Sequence, residues 1–475
     1  MATALQEKPQ ADDIKADIAA MMKRARAAQA QIADYTQEQV DALITAMVWS
    51  VAKPGVAEEI AQFTVDETQL GNYAAKFLKI SVKTRATLQD IIHDKSVGII
   101  EELPERAIVK IAKPVGVIGA LSPSTNPEAT PVIKAISAVK GRNAIIVAPH
   151  PRAKLTNKKI CDLMREAIVK MGAPADLVQS IDVPSVEKTN ELMRQCDRVL
   201  ATGGSAMVTA AYSSGTPALG VGVGNAVITV DDTADLDFAA EKIRISKTLD
   251  NAASCSSDNS VILFDAIYDD MLEKLKGEGG YVLDAEQKEK LKNAIWEDGE
   301  HINAKVVAQP ASFIADYAGF TVPEGTLFFI VPETDAGPEH KFSGEKMTVT
   351  MALYRVKDID EAIALTNKIQ AYQGQGHSCG IYSNSDANIM KLAEGTRTSR
   401  VMVNQPQSPS NSGNLWNGMR QTFSLGCGSW GGNGTNNNIT WRDLINETWV
   451  SKPLATPKTI PSDEELFGKE IMEKI

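Results

Sequence analysis

The residues of this chain best suited to attack a carbonyl or carry a proton are its five cysteines, Cys161, Cys196, Cys255, Cys379 and Cys427, and its five histidines. No two cysteines form a CxxC pair, and His93, His150, His301, His340 and His377 show no HxxH or HExxH spacing. Neither a disulfide framework nor a dedicated metal site is therefore expected. Cys255 stands out by its surroundings, LDNAASCSSDNSVILFD (249–265), a small polar loop between a helical pattern and an apolar strand. A thiolate attacks carbonyls well, but a free cysteine titrates near 8.5 and needs a polar, partly accessible setting, which the flanking Asn, Ser and Asp supply. Cys161 and Cys196 fall in helical patterns and read as small buried hydrophobes, and Cys379 opens the apolar strand CGIYS. On residue chemistry alone, Cys255 is either a nucleophile or an ordinary loop cysteine.

The elements that must position such a group follow from periodicity. The first ninety residues read as helices, with Ile18, Met21, Met22 and Ala25, then Val40, Leu43, Ile44 and Met47, at three- and four-residue steps, and Pro54–Gly55 as a break. Residues 97–112 place two β-branched runs around Leu103–Pro104–Glu105–Arg106, which predicts a hairpin. From 114 to about 235, strands such as VGVIGAL and NAIIVAP alternate with helices, and 258–450 alternates again. Alternating β and α predicts parallel, doubly wound sheets, whose strand ends hold nucleotides. The Gly/Asn/Ser-rich stretch 407–438 carries too little apolar residue for a core and is expected to cover or line something.

At 475 residues, 43% hydrophobic and 23% charged, the chain fits two or three soluble globular domains. A net charge of −11 and a pI near 5.2 argue against a nucleic-acid surface. No apolar run approaches the roughly 20 residues that span a bilayer, and the N-terminus does not read as a signal peptide. A cytoplasmic protein with no membrane partner is expected.

The segment around Cys255 resembles the nucleophile loop of the aldehyde dehydrogenase superfamily, in its CoA-acylating branch. KPVGVIGALSPSTNPEATPVIKAISAVKGRNAIIVAPHPRAK (113–154), ATGGSAMVTAAYSSGTPALGVGVGN (201–225) and LGCGSWGGNGTNNNITWRDLIN (425–446) are similar to the same branch, so the resemblance covers nearly the whole chain. It resembles acylating succinate-semialdehyde and sulfoacetaldehyde dehydrogenases and the aldehyde dehydrogenase half of bifunctional aldehyde–alcohol dehydrogenases.

The resemblance implies Cys255 as nucleophile and Asn126 as the oxyanion-hole amide, each such donor being worth about 3 kcal/mol. It implies His377 as the proton shuttle, a role its ordinary pKa near 6.5 suits. Glu345 is implied to contact the nicotinamide ribose. Thr202, Gly203, Gly204 and Ser205 would form the strand-to-helix turn beside the cofactor diphosphate, with Pro149, His150 and Arg152 near the adenosine ribose. No acid stands there to reject a 2′-phosphate and Arg152 or Lys154 could accept one, so NAD and NADP both remain open. GVGVG (220–224) precedes a strand, not the helix that a phosphate-binding glycine run requires. Hydrolytic relatives carry a water-activating glutamate about here, where this chain has Gly220. Its absence implies release of the acyl group to a thiol, CoA, as co-substrate.

Arg400 and Arg420 flank the polar segment expected at the substrate mouth, and an Arg fork suits a carboxylate or sulfonate. Arg400 also matches relatives acting on acetaldehyde. Arg420 departs from the acylating pattern and suggests an anionic aldehyde, its alternative being a surface arginine. The implied fold is α/β: two Rossmann-like domains plus a small β oligomerisation arm, in a homodimer or homotetramer. The cofactor-binding domain is expected at 1–96 and 113–248, the catalytic domain at 249–439, the arm at 97–112 and 440–456, and a peripheral tail at 457–475. The competing readings are a hydrolytic aldehyde dehydrogenase giving a free acid and a non-catalytic protein retaining the fold.

Overall fold

The computed structural model describes residues 11–475. Helix Ala11–Gln31 buries Ile14, Ile18, Met21, Met22 and Ala25 along one stripe. Helix Gln37–Ala52 starts at a capping box in which Thr36 and Gln39 exchange side-chain and backbone bonds. Gly55, at φ +83°, turns the chain into helix Val56–Thr68. A further helix runs over residues 73–91. It starts at Asn72, whose side chain caps Ala75 N–H at 2.9 Å, and passes through a π-helical turn, Lys79–Lys83. Such wide turns recur at functional sites, and this one faces the cleft described below.

The expected hairpin forms from β1 (Gly98–Leu103) and β2 (Ile108–Pro114), antiparallel, with Ala107 at φ +52° closing the turn. The chain then enters a parallel five-stranded sheet of β3 (Val117–Ser122), β4 (Ala144–Pro149), β5 (Val178–Ser180), β6 (Arg198–Thr202) and β7 (Ala218–Val221). Their order is β5-β4-β3-β6-β7. β3 and β4 are buried at every residue, and the N-terminal helices share their core.

The second sheet holds β8 (Ala226–Val230), β9 (Asp258–Phe264), β10 (Gly280–Val282), β11 (Phe328–Pro332), β12 (Thr350–Val356), β13 (Cys379–Tyr382) and β14 (Val401–Val403). All its pairings are parallel, in the order β10-β11-β12-β9-β8-β13-β14. β15 (Ile445–Ser451) returns to pair antiparallel with β2, which completes the three-stranded arm.

One expected boundary shifts. The sequence places the end of the cofactor domain at residue 248, but β8 pairs with β9, and Ala239, Ala240 and Ile243 of helix Leu236–Thr248 lie in the second core. The crossing between the cores therefore falls at residues 222–225. Periodicity could not show this, because a parallel strand buried on both faces looks the same in either sheet. Helices Ala285–Ile295 and Ala311–Ala318 were also not anticipated, although the capping box between Asp284 and Gln287 was visible in the sequence. Among the described residues no single helix is long and apolar enough to cross a membrane.

Candidate active site

A cleft of about 900 Å³ lies between the two sheets, at the carboxyl ends of β3, β4, β6 and β7, the position where open α/β sheets bind ligands. Cys255 is on its wall, partly exposed. The chain reaches Cys255 through three successive left-handed residues, Asp250 (φ 53°), Asn251 (φ 51°) and Ala252 (φ 62°). Asp and Asn tolerate that region, whereas alanine pays about 1–2 kcal/mol for it, so surrounding bonds must hold the turn. Asn251 Nδ2 donates to the Gly71 and Ala308 carbonyls, both at 3.3 Å. Asp250 accepts from Asn72 N–H at 2.9 Å, from Lys76 Nζ at 2.7 Å and from Lys79 Nζ. Gly71, at φ +72°, leaves the room: a Cβ there would fall 1.8 Å from the Asp250 carboxylate.

The same lysines reach the other side of the cleft. Lys79 Nζ donates to Asn126 Oδ1 at 2.5 Å and Lys76 Nζ to the Thr125 carbonyl at 2.5 Å. Asn126 lines the cleft with Cys255. Glu128, wholly buried, stands 3.8 Å from both ammonium groups. None of Lys76, Lys79, Glu128 and Asp250 was singled out in the sequence. The available signal was the spacing of Lys76, Lys79 and Lys83 at three- and four-residue steps, along one face of a helix whose neighbouring positions include Ala75, Leu78, Ile80 and Val82.

The floor under Cys255 is the run between β7 and β8. A Cβ on Gly224 would meet Cys255 O at 2.0 Å and Cys255 Cβ at 2.6 Å, so only glycine fits. Gly220 is different: its missing side chain points at Val208 and Tyr212, and it does not line the cleft, whereas Val221 to Gly224 do. The expectation that Gly220 marks the vacated position beside the nucleophile is corrected to this later part of the run.

A carboxyl does approach the thiol, from elsewhere in the chain. Glu345 lines the cleft, accepts from Gly224 N–H, and is pushed up to about 8 by burial. Burial first, then Glu345 and Cys427, pushes the Cys255 thiol up to about 12 against the opposing pull of Ser256 and Arg400. Cys255 rests as the protonated thiol.

Of the expected cofactor residues, Pro149, His150, Thr202, Gly203, Gly204 and Ser205 all line the cleft. Gly204 is open space where a Cβ would stand and precedes helix Ser205–Tyr212. His150 Nδ1 accepts from Arg152 N–H at 3.1 Å, while the Arg152 guanidinium turns to the Ala304 carbonyl at 3.4 Å, off the cleft. Leu415, Gln421, Phe423 and Leu425 of the polar stretch 407–438 close the opposite side.

Three further expected site residues lie outside the cleft lining. His377 is fully buried behind the wall, its Nδ1 2.9 Å from Ser378 Oγ and its Nε2 without a partner among the described residues. Burial and then Arg400 lower it to about 3, so it is neutral, and it does not line the cleft. Arg400 spends its guanidinium on the carbonyls of His377 (3.0 Å), Gly426 (2.6 Å) and Asn436 (3.0 Å) and is a loop staple. Arg420 bonds Asp90 O at 2.9 Å and Asp94 Oδ1 at 3.3 Å, which joins the polar stretch to helix 73–91 and its exit rather than to the cleft. Sequence position alone could not distinguish an arginine at the mouth from one turned into the scaffold.

Comparison with known proteins adds to this geometry. The aldehyde dehydrogenase family model matches residues 5–282. The chain is 45% identical to a sulfoacetaldehyde dehydrogenase of Acholeplasma sp. over 95% of its length and 94% of that protein. It is 40% identical to the acetylating succinate-semialdehyde dehydrogenase of Clostridium kluyveri, over 94% and 98% of the two chains. The crystal structure of an acetylating aldehyde dehydrogenase from Geobacillus thermoglucosidasius superposes with a TM-score of 0.90 at 34% identity, covering 94% of this chain and 99% of that one.

Proposed function

The chain belongs to the aldehyde dehydrogenase family, and from that premise we propose that it is a CoA-acylating aldehyde dehydrogenase, interconverting a short aldehyde, CoA and NAD(P)⁺ with the acyl-CoA and NAD(P)H. The observation that carries this reading is Cys255 facing, across one cleft, an asparagine whose amide oxygen is clamped by Lys79, above a 221–224 floor that contains no carboxylate.

The chemistry then falls to named atoms. Cys255 Sγ bonds to the aldehyde carbon as its proton passes to the ionised fraction of Glu345, whose carboxyl lines the same cleft. The negative charge developing on the carbonyl oxygen rests on Asn126 Nδ2–H. The bare turn at Gly203–Gly204, the start of helix Ser205–Tyr212 and Pro149 fit a dinucleotide. When bound there, the nicotinamide supplies the hydride acceptor. Cys255 then holds the acyl group as a thioester until the CoA thiol adds to the same carbon, Asn126 again takes the oxyanion, and the Cys255–carbon bond breaks.

One observation favours the hydrolytic alternative: Glu345 is beside the thiol and could deprotonate water. Burial pushes Glu345 up to about 8 against the lowering effect of the Gly224 N–H bond, so only a minor fraction is ionised at neutral pH, and toward so scarce a base the more acidic thiol of CoA is a better partner than water. Aldehyde-dependent NAD(P)H formation with and without CoA decides between them. The expected result is turnover that requires CoA and disappears in Cys255→Ser; full-rate turnover without CoA would establish hydrolysis.

The arm supports assembly. β1 and β15 are the open edges of a three-stranded sheet, with Trp449 and Ile99 exposed upon them, and open edges favour pairing between chains. A homodimer or homotetramer follows from this reading. Five unpaired cysteines suit a reducing, cytoplasmic setting.

A further inference from the structure

The stretch of helix 73–91 along the cleft presents Ala75, Leu78, Lys79, Val82, Lys83 and Ala86 to it. Two of these are cations, and they are held in opposite ways. Lys79 is paired with Asp250 and bonded to Asn126. Lys83 Nζ donates only to neutral acceptors, the carbonyls of Ser412 at 2.7 Å and Gly413 at 2.6 Å and the side-chain oxygen of Gln421. Among the described residues no carboxylate forms an ion pair with it within 4.0 Å. Asp90, whose charge reaches it, is taken up by Arg420 and by Gln421 N–H.

An ammonium kept on a largely apolar cleft wall without a counter-charge is unfavourable unless something charged completes it. Burial drives Lys83 down to about 7, a cost that an incoming anion would reverse. The Gln421 side chain, which also lines the cleft, is the one acceptor of the three that can swing away, since the other two are backbone.

We infer that Lys83 is the anion-recognising residue of the acyl subsite, and that the aldehyde carries at its far end a carboxylate or sulfonate that docks on Lys83 Nζ in place of the Gln421 oxygen. The inference rests on the aldehyde dehydrogenase reading above and narrows its substrate class. Lys83 stands one helical turn from Lys79, roughly 5 Å along the axis, and Lys79 touches Asn126, where the carbonyl oxygen would rest. That interval suits an acid group a few bonds from the aldehyde carbon. The neighbouring Phe423 ring, 5.7 Å from Lys83 Nζ, gives the spacer carbons an apolar face. Arg400 and Arg420 are unavailable for this role.

The test compares kcat/KM for succinate semialdehyde and sulfoacetaldehyde with that for the uncharged butyraldehyde, in wild type, Lys83→Met and Lys83→Arg. Lys83→Met should lower the anionic-to-neutral ratio by about 30-fold, the worth of one charge-assisted bond, with Lys83→Arg recovering part of it. The wild type and variants should share one KM for NAD(P)⁺ and CoA, which excludes a role in holding their phosphates. An unchanged ratio, or equal loss on all three aldehydes in folded protein, overturns the inference. Binding of ethanesulfonate and succinate, read as a rise in Tm, tests the subsite without turnover. Stabilisation of wild type but not of Lys83→Met by at least one of the two anions, with Lys83→Arg between them, supports it, and no stabilisation of wild type by either, or equal stabilisation of Lys83→Met, overturns it. Should wild type oxidise none of the aldehydes, the enzymatic reading fails and this binding measurement still judges Lys83.

Discussion

Lys79 Nζ and Asn126 Oδ1 are 2.5 Å apart, and because an ammonium can only donate, this contact fixes which end of the Asn126 amide faces the cleft. Asn126 Nδ2 keeps one weak partner, Thr125 Oγ1 at 3.3 Å, and so has a hydrogen to offer a carbonyl oxygen. The Lys79 charge also polarises the amide and strengthens that donor. Lys79→Met should therefore lower kcat about 10- to 100-fold with little change in KM for CoA, and Lys79→Arg should restore part of it. Steady-state kinetics on the two variants checks this; an unchanged kcat in Lys79→Met would remove the role.

Asp250 joins Lys79, and through it Asn126, to the loop that carries Cys255. Burial alone would raise its carboxyl, but Lys79 and Lys76 outweigh that and hold it below the ordinary range. The stability it contributes is thus present above the unfolded carboxylate pKa and lost as pH falls through the lower folded one. Asp250→Asn leaves two buried ammonium groups with Glu128 alone and should cost about 3 kcal/mol. Urea unfolding at pH 7 should show that loss, and the difference from wild type should shrink in acid.

Cys255 is held as a thiol by burial and by Glu345. Its alkylation by iodoacetamide should keep accelerating above pH 9, with no plateau near neutrality. Glu345 is itself pushed up to about 8, so its negative charge opposes the thiolate only in alkaline solution. Glu345→Gln should consequently alkylate faster than wild type at pH 9 and at a similar rate at pH 6. A plateau at pH 7 in wild type would contradict the environment described.

Gly224→Ala should remove activity by displacing the Cys255 carbonyl, which lies 2.0 Å from the new methyl group. Gly204→Ala, in open space at the cofactor turn, should fold normally. Comparing Tm for the pair separates a packing conflict from the general cost of adding a methyl group.

Arg420→Ala should leave the ratio of kcat/KM between anionic and neutral aldehydes where it was, because the guanidinium is engaged with Asp90 and Asp94. Its effect belongs in stability, at about 1 kcal/mol for a partly exposed pair. A collapse of the ratio in this variant would return substrate recognition to Arg420.

Much of this was readable from the residues. The hairpin around Pro104, the alternation of strands and helices, and the polar loop at Cys255 each follow from local rules, and the turn at Thr202 to Ser205 is found where a strand gives way to a helix. The departures in placement share one cause. Arg400, Arg420 and His377 were read by their position along the chain, yet the direction in which a side chain points is settled by partners remote in sequence, such as Asp90 for Arg420 and Ser378 with Arg400 for His377. The lysines on helix 73–91 were missed for the converse reason. Their significance depends on Asp250, which lies 171 residues beyond Lys79, and no local pattern reports a pairing of that span.

The crossing at residues 222–225 has a mechanical corollary. The same few glycine-rich residues link the two cores and press against Cys255, so a tilt of one sheet relative to the other would be transmitted directly to the sulfur. Spreading the halves to let product escape would dismantle the alignment on which the next turnover depends. Leu415 and Phe423 line the far side of the cleft, so an opening made there would leave the link beneath the sulfur undisturbed.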